Sequence, residues 1–228
     1  HHAGRSGRAL GAPTLGFCIF NYAAVAAVAY LKRVKSVLMI DFDAHHGNGT
    51  QEIFWDDGRV VHVDIHQEGI YPGTGDVTDI GSGAGTGKMI NIPLLAGAGD
   101  ETYMWVLDEI VSRLVEVFKP DAVVVSAGFD AHVGDPLTSL AATKITYRSI
   151  GAYLGGLLER GSVNSALTVV EGGYGDGLVA GLINYVGGLL TRCSHPDNVK
   201  AAPAGLSKRV REVLKSSLSR YWGIEIKV

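Results

Sequence analysis

The segment Val37-Leu-Met-Ile-Asp-Phe-Asp-Ala-His-His-Gly-Asn-Gly-Thr50 passes from a short apolar run directly into two carboxylates, two imidazoles and a carboxamide. An apolar run that is followed by polar and glycine residues predicts a buried strand that ends in a turn. Carboxylates and imidazoles are the ligands that many divalent metals use. Open α/β sheets keep their sites at the carboxyl ends of their strands. The segment therefore predicts a metal-binding turn at the end of a central strand.

Similar apolar runs recur along the chain, separated by segments with helical spacing. Strands are predicted at 37–40, 59–65, 122–126 and 166–170, and helices at 21–33, 101–118, 147–160, 177–192 and 206–221. Asn21 and Asp100 are expected to cap the first two helices, and 68–91 is expected to be a long irregular loop. Buried strands that alternate with helices are typical of a parallel sheet covered on both faces. The predicted fold class is α/β, as a single three-layer domain.

Length, composition and charge favour a globular protein and argue against nucleic-acid binding and a membrane span. A length of 228 residues with 46% hydrophobic residues suits one globular domain with a sizeable core. The formal net charge is −3 and there is no basic stripe, which argues against direct nucleic-acid binding. No apolar stretch reaches the ~20 residues that a membrane span needs. Cys18 and Cys193 are expected to be small buried side chains, which favours a reducing, cytoplasmic compartment.

Reactive side chains follow three of the predicted strands, at 41–48, 130–132 and 171–174. In a parallel sheet these strand ends open on the same edge, so Asp43, His45 and Asp130 could share one metal. One imidazole and two carboxylates leave coordination positions open, as a hydrolytic zinc site requires. Taken singly, Asp43 and His45 are also common turn residues, and Asp130 could be a helix N-cap. Their recurrence at equivalent strand ends favours the metal.

Four longer motifs occur in a fixed order. They are Asp41-Phe-Asp-Ala-His-His-Gly-Asn-Gly-Thr-Gln51, Tyr71-Pro-Gly-Thr-Gly75, Ser126-Ala-Gly-Phe-Asp-Ala-His132 with Gly134-Asp-Pro136, and Glu171-Gly-Gly-Tyr174. Together they resemble the zinc-dependent histone deacetylase superfamily, which includes acetoin-utilisation proteins and acetylpolyamine amidohydrolases and has an arginase-like fold. The resemblance runs from His1 to about Leu190. Asn48 and Glu171 resemble the class II branch.

The resemblance implies a deacetylase, in which one Zn²⁺ is held by Asp43, His45 and Asp130. It implies that His1 and His2 are paired catalytic histidines, one a general base toward the attacking water and the other helping to protonate the leaving amine. It further implies that Asp41 and Asn48 accept hydrogen bonds from the two histidines, that Tyr174 is an oxyanion donor, and that Gly172 and Gly173 are flexible glycines beside it. Walls of an acyl-lysine tunnel are implied for Gly16, Phe17, Tyr71 and Leu137. Ligands of a monovalent cation (K⁺) are implied for Asp41, Asp64 and Ile65. His62 and His66 are interpreted as structural strand residues, and Phe17 could equally be plain core packing.

Two features bear on how far the resemblance extends. Family domains begin well before the paired histidines, so residues 1–228 are expected to be the C-terminal portion of a catalytic domain. A chain of this kind could be weakly active or inactive by itself. The residue after Gly134-Asp-Pro136 is Leu137, whereas polyamine-selective relatives tend to place an acidic residue there. That favours acetyl-lysine or an uncharged amide as the substrate, with an acetylpolyamine or another small amide as the alternative.

Two further activities remain as rivals. A binuclear manganese ureohydrolase shares the fold but needs carboxylates at positions 47 and 132, where this chain has Gly47 and His132. A non-catalytic module that binds acyl-lysine is the other, and the presence of the expected ligands and Tyr174 argues against it. Neither membrane nor nucleic acid is an expected partner.

Overall fold

The sheet contains five strands among the residues that the computed structural model describes, 18–192 and 203–227. They are β1 (Val37–Asp41), β2 (Val60–Gln67), β3 (Met89–Leu94), β4 (Ala122–Ala127) and β5 (Ser165–Val170). Their order across the sheet is β3-β2-β1-β4-β5, and each neighbouring pair is parallel. The register places the last residue of β1, Asp41, beside Asp64 on one side and Ser126 on the other. The carboxyl ends of the strands therefore meet at one edge, as predicted.

Helices connect the strands and cover the two faces of the sheet. They are α1 (Tyr22–Tyr30), α2 (Asn48–Phe54), α3 (Asp100–Val106), α4 (Ser112–Phe118), α5 (Lys144–Glu159), α6 (Asp176–Thr191) and α7 (Lys208–Trp222). The larger buried cluster includes apolar side chains of β1, α4, α5 and α7, and a smaller cluster joins the other face of the sheet to α1. Layers of helix, sheet and helix confirm the predicted three-layer α/β fold.

Helices α5 and α6 pack backbone against backbone. A Cβ atom at Gly151 would overlap the carbonyl oxygen of Tyr185, and one at Gly188 would overlap that of Arg148. Glycine at both positions lets the two helices approach closely. Because α6 directly follows the 171–174 turn, this contact helps to hold that turn against the rest of the domain.

Several predicted boundaries are wrong. The loop 68–91 ends at residue 88, because 89–94 forms β3, whose polar Asn91 and Pro93 interrupt the apolar pattern. The Asn91 side-chain NH₂ group instead donates inside the fold, to Oε1 of Gln51 at 2.6 Å and to the carbonyl oxygen of Asp79 at 2.9 Å. Helix α2, which begins at Asn48, was not predicted.

The predicted helix 101–118 is also interrupted. A π-helical turn, Leu107–Val111, separates α3 from α4. Gly99 is the N-cap of α3, and Asp100 lies in its first turn. The Asp100 carboxylate accepts hydrogen bonds from Thr143 and Thr146 at the start of α5, so it joins two helices and does not cap its own.

Strand β5 is less buried than predicted, and helix α1 is buried on one side only. Strand β5 is at the edge of the described sheet, where Leu167 is 41% and Val170 is 52% exposed. Helix α1 buries Ala23, Ala24 and Ala27 but exposes Val25 on its other side. Asn21 caps this helix as predicted, its side chain accepting from the N–H of Ala24 at 2.8 Å. Within the described ranges, every helix is too short or too polar to cross a bilayer.

Candidate metal centre and active site

Asp43, His45 and Asp130 come together at the carboxyl ends of β1 and β4. Nδ1 of His45 is 2.7 Å from Oδ2 of Asp130 and 3.2 Å from Oδ1 of Asp43. Potential ligand atoms of all three side chains lie within 4.8 Å of one another. Both carboxylates are buried, and the imidazole is partly exposed. The predicted ligand set is therefore assembled around a single point that is open on one side.

Backbone amides hold the two carboxylates in place. The N–H of His45 donates to Oδ1 of Asp43 at 2.8 Å, and the N–H of Ala44 donates to Oδ1 of Asp130 at 2.8 Å. The N–H of Gly172, from the turn after β5, donates to Oδ2 of Asp43 at 2.7 Å. Hydrogen bonds of this kind orient metal ligands before the ion arrives.

The turns after β4 and β5 approach Asp43 closely, and this approach depends on glycine. A Cβ atom at Gly172 would lie 2.5 Å from Oδ2 of Asp43 and 2.7 Å from Oδ2 of Asp130, and one at Gly128 would overlap Asp43 directly. Real Cβ atoms do not approach an oxygen that closely, so a side chain at either position would displace the carboxylates. Both glycines therefore shape the site.

The three predicted ligands shift one another's pKa values. Hydrogen bonds to Asp130 and Asp43 raise the pKa of His45 to about 10. Burial, together with the neighbouring charge of Asp43, raises the pKa of Asp130. A divalent cation would relieve the repulsion between the two carboxylates and must displace the His45 proton before it can bind Nδ1. This donor set fits a divalent metal such as zinc.

Three side chains of the predicted site are exposed to solvent. Tyr174 is 72% exposed, Leu137 66% and Tyr71 52%. Tyr174 is flanked by Gly173 and Gly175, which have φ angles of 96° and 73°. Residues with a Cβ rarely adopt such angles, so these glycines permit the sharp turn that presents the phenol.

The family profile described as "Histone deacetylase domain" matches residues 1–189, which is most of the chain. The chain belongs to the histone deacetylase family. An uncharacterised protein of Methanocaldococcus jannaschii is 46% identical over 216 residues, covering 95% of this chain and 61% of that protein. A probable deacetylase of Archaeoglobus fulgidus is 44% identical over 160 residues, covering 70% of this chain and 45% of that protein.

The fold is also similar to solved structures of the family. The crystal structure of the HDA15 HD domain matches with a TM-score of 0.79 and 34% identity, covering 92% of this chain and 58% of that one. The chain thus spans between 45% and 61% of the length of these three proteins. Membership of the histone deacetylase family supports a hydrolase of the deacetylase or amidohydrolase class.

The predicted site of this histone deacetylase family chain extends beyond the described residues. His1, His2, Gly16 and Phe17 lie outside them, as does Cys193. Asn48 is buried at the first residue of α2. The expected roles of these residues remain predictions.

A second group of possible metal ligands lies next to the first. It consists of Asp41, His62 and Asp64, all buried; Asp41 ends β1, and the other two lie in the middle of β2. The predicted monovalent-cation site named Asp41, Asp64 and the buried Ile65, but it did not include His62. His66 is bound to the same cluster, with Nδ1 2.7 Å from Oδ1 of Asp64.

The omission of His62 has a structural explanation. A histidine in the middle of an apolar strand usually fills a structural role, and that was its interpretation from sequence. The available signal was the spacing His62-x-Asp64, because alternate residues of a strand point to the same face. The parallel register then brings Asp41 alongside.

Proposed function

We propose that this chain is the catalytic part of a zinc-dependent amidohydrolase that removes acetyl or other acyl groups from an acylated amine such as acetyl-lysine. The observation that carries the proposal is the assembly of Asp43, His45 and Asp130 with the Tyr174 turn, joined by the Gly172–Asp43 hydrogen bond. Membership of the histone deacetylase family supports the hydrolase class. The compartment proposed is the cytoplasm.

Asp43, His45 and Asp130 would hold the zinc ion. One imidazole and two carboxylates are suitable ligands, and the partly exposed side of His45 leaves the site accessible. When bound, zinc supplies a Lewis acid that polarises the amide carbonyl and lowers the pKa of water. Burial of both carboxylates strengthens their interaction with a cation, since the surrounding protein screens charge less than bulk water does.

Tyr174 would act as the oxyanion donor. Its hydroxyl, on an exposed turn beside the metal ligands, would donate a hydrogen bond to the amide oxygen and hold it as negative charge develops. Gly173 and Gly175 both have positive φ angles. Because glycine has no Cβ, these residues would give the turn the conformational freedom to move the phenol toward a substrate. A donor of this kind contributes on the order of a few kcal/mol to transition-state stabilisation.

The proton transfers are assigned to His1 and His2 on the strength of the family resemblance. One imidazole would take a proton from the attacking water, and the other would help to protonate the departing amine. Asp41 and Asn48 would orient these rings by accepting a hydrogen bond from each. Because Asn48 is neutral, the ring that it orients would be less basic than a ring beside a carboxylate.

The substrate is proposed to be an acyl-lysine or a similar uncharged amide. Phe17 and Tyr71 would form apolar walls around the methylene stem of the acylated side chain. Leu137 presents an uncharged side chain at the rim. An acetylpolyamine carries distant ammonium groups, for which a carboxylate at this position would be the better partner, so it stays as the alternative substrate.

The test uses the full-length protein and compares wild type, Tyr174→Phe and a control, Tyr221→Phe, on acetyl-lysine peptide, acetylspermidine and a guanidino compound. Tyr221 is in α7 and is distant in sequence from every proposed site residue. Loss of the Tyr174 hydroxyl should lower kcat about 100- to 1,000-fold while zinc stoichiometry is unchanged. The control should behave like wild type.

Three results would contradict the proposal. Zinc-loaded wild type that binds acetyl-lysine but hydrolyses none of the amides would indicate a binding module. Hydrolysis of the guanidino compound in preference to the amides would indicate a ureohydrolase. Full turnover by Tyr174→Phe would remove the phenol from the mechanism.

A further inference from the structure

We infer that Asp41, His62 and Asp64 form a second metal site, which takes a divalent transition-metal ion and not an alkali ion. The inference concerns metal binding alone and is independent of the substrate and mechanism proposed above. It differs from the family resemblance, which predicts a monovalent cation held by Asp41, Asp64 and Ile65.

The first argument is the position of the His62 imidazole. Its Nε2 is 3.7 Å from Oδ2 of Asp64 and 3.9 Å from Oδ2 of Asp41. Both separations exceed the length of a hydrogen bond. Within the described ranges, Nε2 has no hydrogen-bond partner although His62 is only 1% exposed. A buried polar atom without a partner is destabilising, and a bound cation would supply the missing partner.

The second argument is the spacing of the three atoms. Two ligands about 2.1 Å from one tetrahedral ion are separated by roughly 3.4 Å. The observed separations of 3.7 and 3.9 Å need a contraction of only a few tenths of an ångström to reach that value. In contrast, a direct imidazole–carboxylate hydrogen bond would have drawn the pair to about 2.8 Å, as it does for His66 and Asp64 at 2.7 Å.

The third argument is that neighbouring groups hold both carboxylates toward this point. Oδ1 of Asp64 is bound by His66, and its Oδ2 accepts from the N–H of Gly47 at 2.8 Å. Oδ1 of Asp41 accepts from the N–H of Asp43 at 3.1 Å. A Cβ at Gly47 would lie 2.7 Å from Oδ2 of Asp41 and 3.0 Å from Oδ2 of Asp64, so glycine keeps this space open.

The donor set selects the class of ion. Alkali and alkaline-earth ions prefer oxygen ligands, whereas imidazole nitrogen suits zinc, iron, cobalt and nickel. Two carboxylates beside the imidazole match the charge of a divalent ion. Asp41 and Asp43 are two residues apart and are linked by a hydrogen bond. An ion bound by Asp41 would therefore stabilise the turn that carries Asp43, a predicted ligand of the zinc ion.

Cobalt is the probe for the experiment, because its visible spectrum and its effect on imidazole proton resonances report nitrogen coordination. The chain is stripped with a chelator and titrated with Co²⁺ in excess potassium chloride, which saturates any alkali site. Equilibrium dialysis gives the stoichiometry. Wild type should bind two Co²⁺ per chain, and His62→Phe should bind one.

The matched control removes the first site and leaves the second. The double variant Asp43→Asn, His45→Asn should retain one Co²⁺ and a paramagnetically shifted imidazole N–H resonance. Asp64→Ser, which replaces a carboxylate with a hydroxyl, should bind one Co²⁺ as His62→Phe does. Circular dichroism of each metal-free variant establishes that it is folded.

The double variant decides the question even if His62→Phe does not fold. No Co²⁺ bound to the folded double variant would overturn the inference, and so would a bound ion without a shifted imidazole resonance. One Co²⁺ in both wild type and His62→Phe would also overturn it.

Discussion

The N–H of Gly172 donates a hydrogen bond of 2.7 Å to Oδ2 of Asp43. Gly172 follows β5 and Asp43 follows β1, and β4 lies between these strands in the sheet. The bond therefore passes over the end of the intervening strand and connects the turn that carries Tyr174 to a predicted metal ligand. In the proposed function, this contact would couple metal binding to the position of Tyr174.

Substituting Gly172 by Ala should weaken metal binding. The new Cβ would lie 2.5 Å from Oδ2 of Asp43 and 2.7 Å from Oδ2 of Asp130, so both carboxylates must move. Loss of orienting contacts to metal ligands typically reduces affinity about 10- to 100-fold. Competition with a zinc chelator measures this change.

Gly134→Ala is the control for that experiment. A Cβ at Gly134 would be 3.4 Å from Nδ1 of His132, which is ordinary van der Waals contact. Its zinc affinity should equal that of wild type. Equal affinity of Gly172→Ala and wild type would show that the turn does not constrain the ligands.

The metal-free protein should lose stability as the pH rises from 6.5 to about 10. Hydrogen bonds to the carboxylates of Asp130 and Asp43 raise the pKa of His45 to about 10 from its ordinary value of 6.5 in the unfolded chain. The folded state thus holds this proton more tightly, and the resulting stabilisation is complete below pH 6.5 and is lost through the higher pKa. The difference in Tm between chelator-treated wild type and His45→Asn should shrink over this interval. A difference that stays constant with pH would contradict the shifted pKa.

Replacing Leu137 with Glu should move substrate preference toward acetylpolyamines. Leu137 is 66% exposed, so a carboxylate there would face solvent and could attract a distant ammonium group. An exposed charge pair contributes at most about 1 kcal/mol, which corresponds to a gain of roughly fivefold in kcat/KM for acetylspermidine relative to acetyl-lysine peptide.

Leu137→Gln, which has similar size and no charge, is the control for this change. The gain from Glu should also decline in high salt because exposed charges are screened. A similar gain from both variants would mean that charge is not the cause.

Asp100→Asn should destabilise the fold without affecting the metal site. Oδ1 of Asp100 accepts from the N–H and the hydroxyl of Thr146 at 3.2 and 2.5 Å, and Oδ2 accepts from the hydroxyl of Thr143 at 2.7 Å. The amide reverses one acceptor and removes the charge, at a cost of about 1–3 kcal/mol. Urea denaturation measures the free energy of unfolding. Glu101→Gln, an exposed neighbour in the same helical turn, should change it by less than about 0.5 kcal/mol.

The regular part of the fold was predictable because its signals are local. The run 37–40 and the run 122–126 are continuous and apolar, and both are central strands. Asn91 and Pro93 interrupt the pattern of β3, so that strand could be found only from its pairing with β2. The apolar run of β5 predicted a buried strand, but β5 is partly exposed. An apolar run does not reveal whether its strand lies at a sheet edge.

The sequence by itself determined which candidate metal ligands follow the strands. Asp43 and His45 are two residues apart in one turn, and the Gly128 and Gly172 motifs mark where other turns approach, so local order already indicated a metal centre. Only the tertiary structure decided that His62 belongs beside Asp41 and Asp64. The parallel register pairs Asp41 with Asp64, and the alternation of β2 turns His62 to the same face. That relationship joins residues from different strands, and it exists only once the sheet has formed.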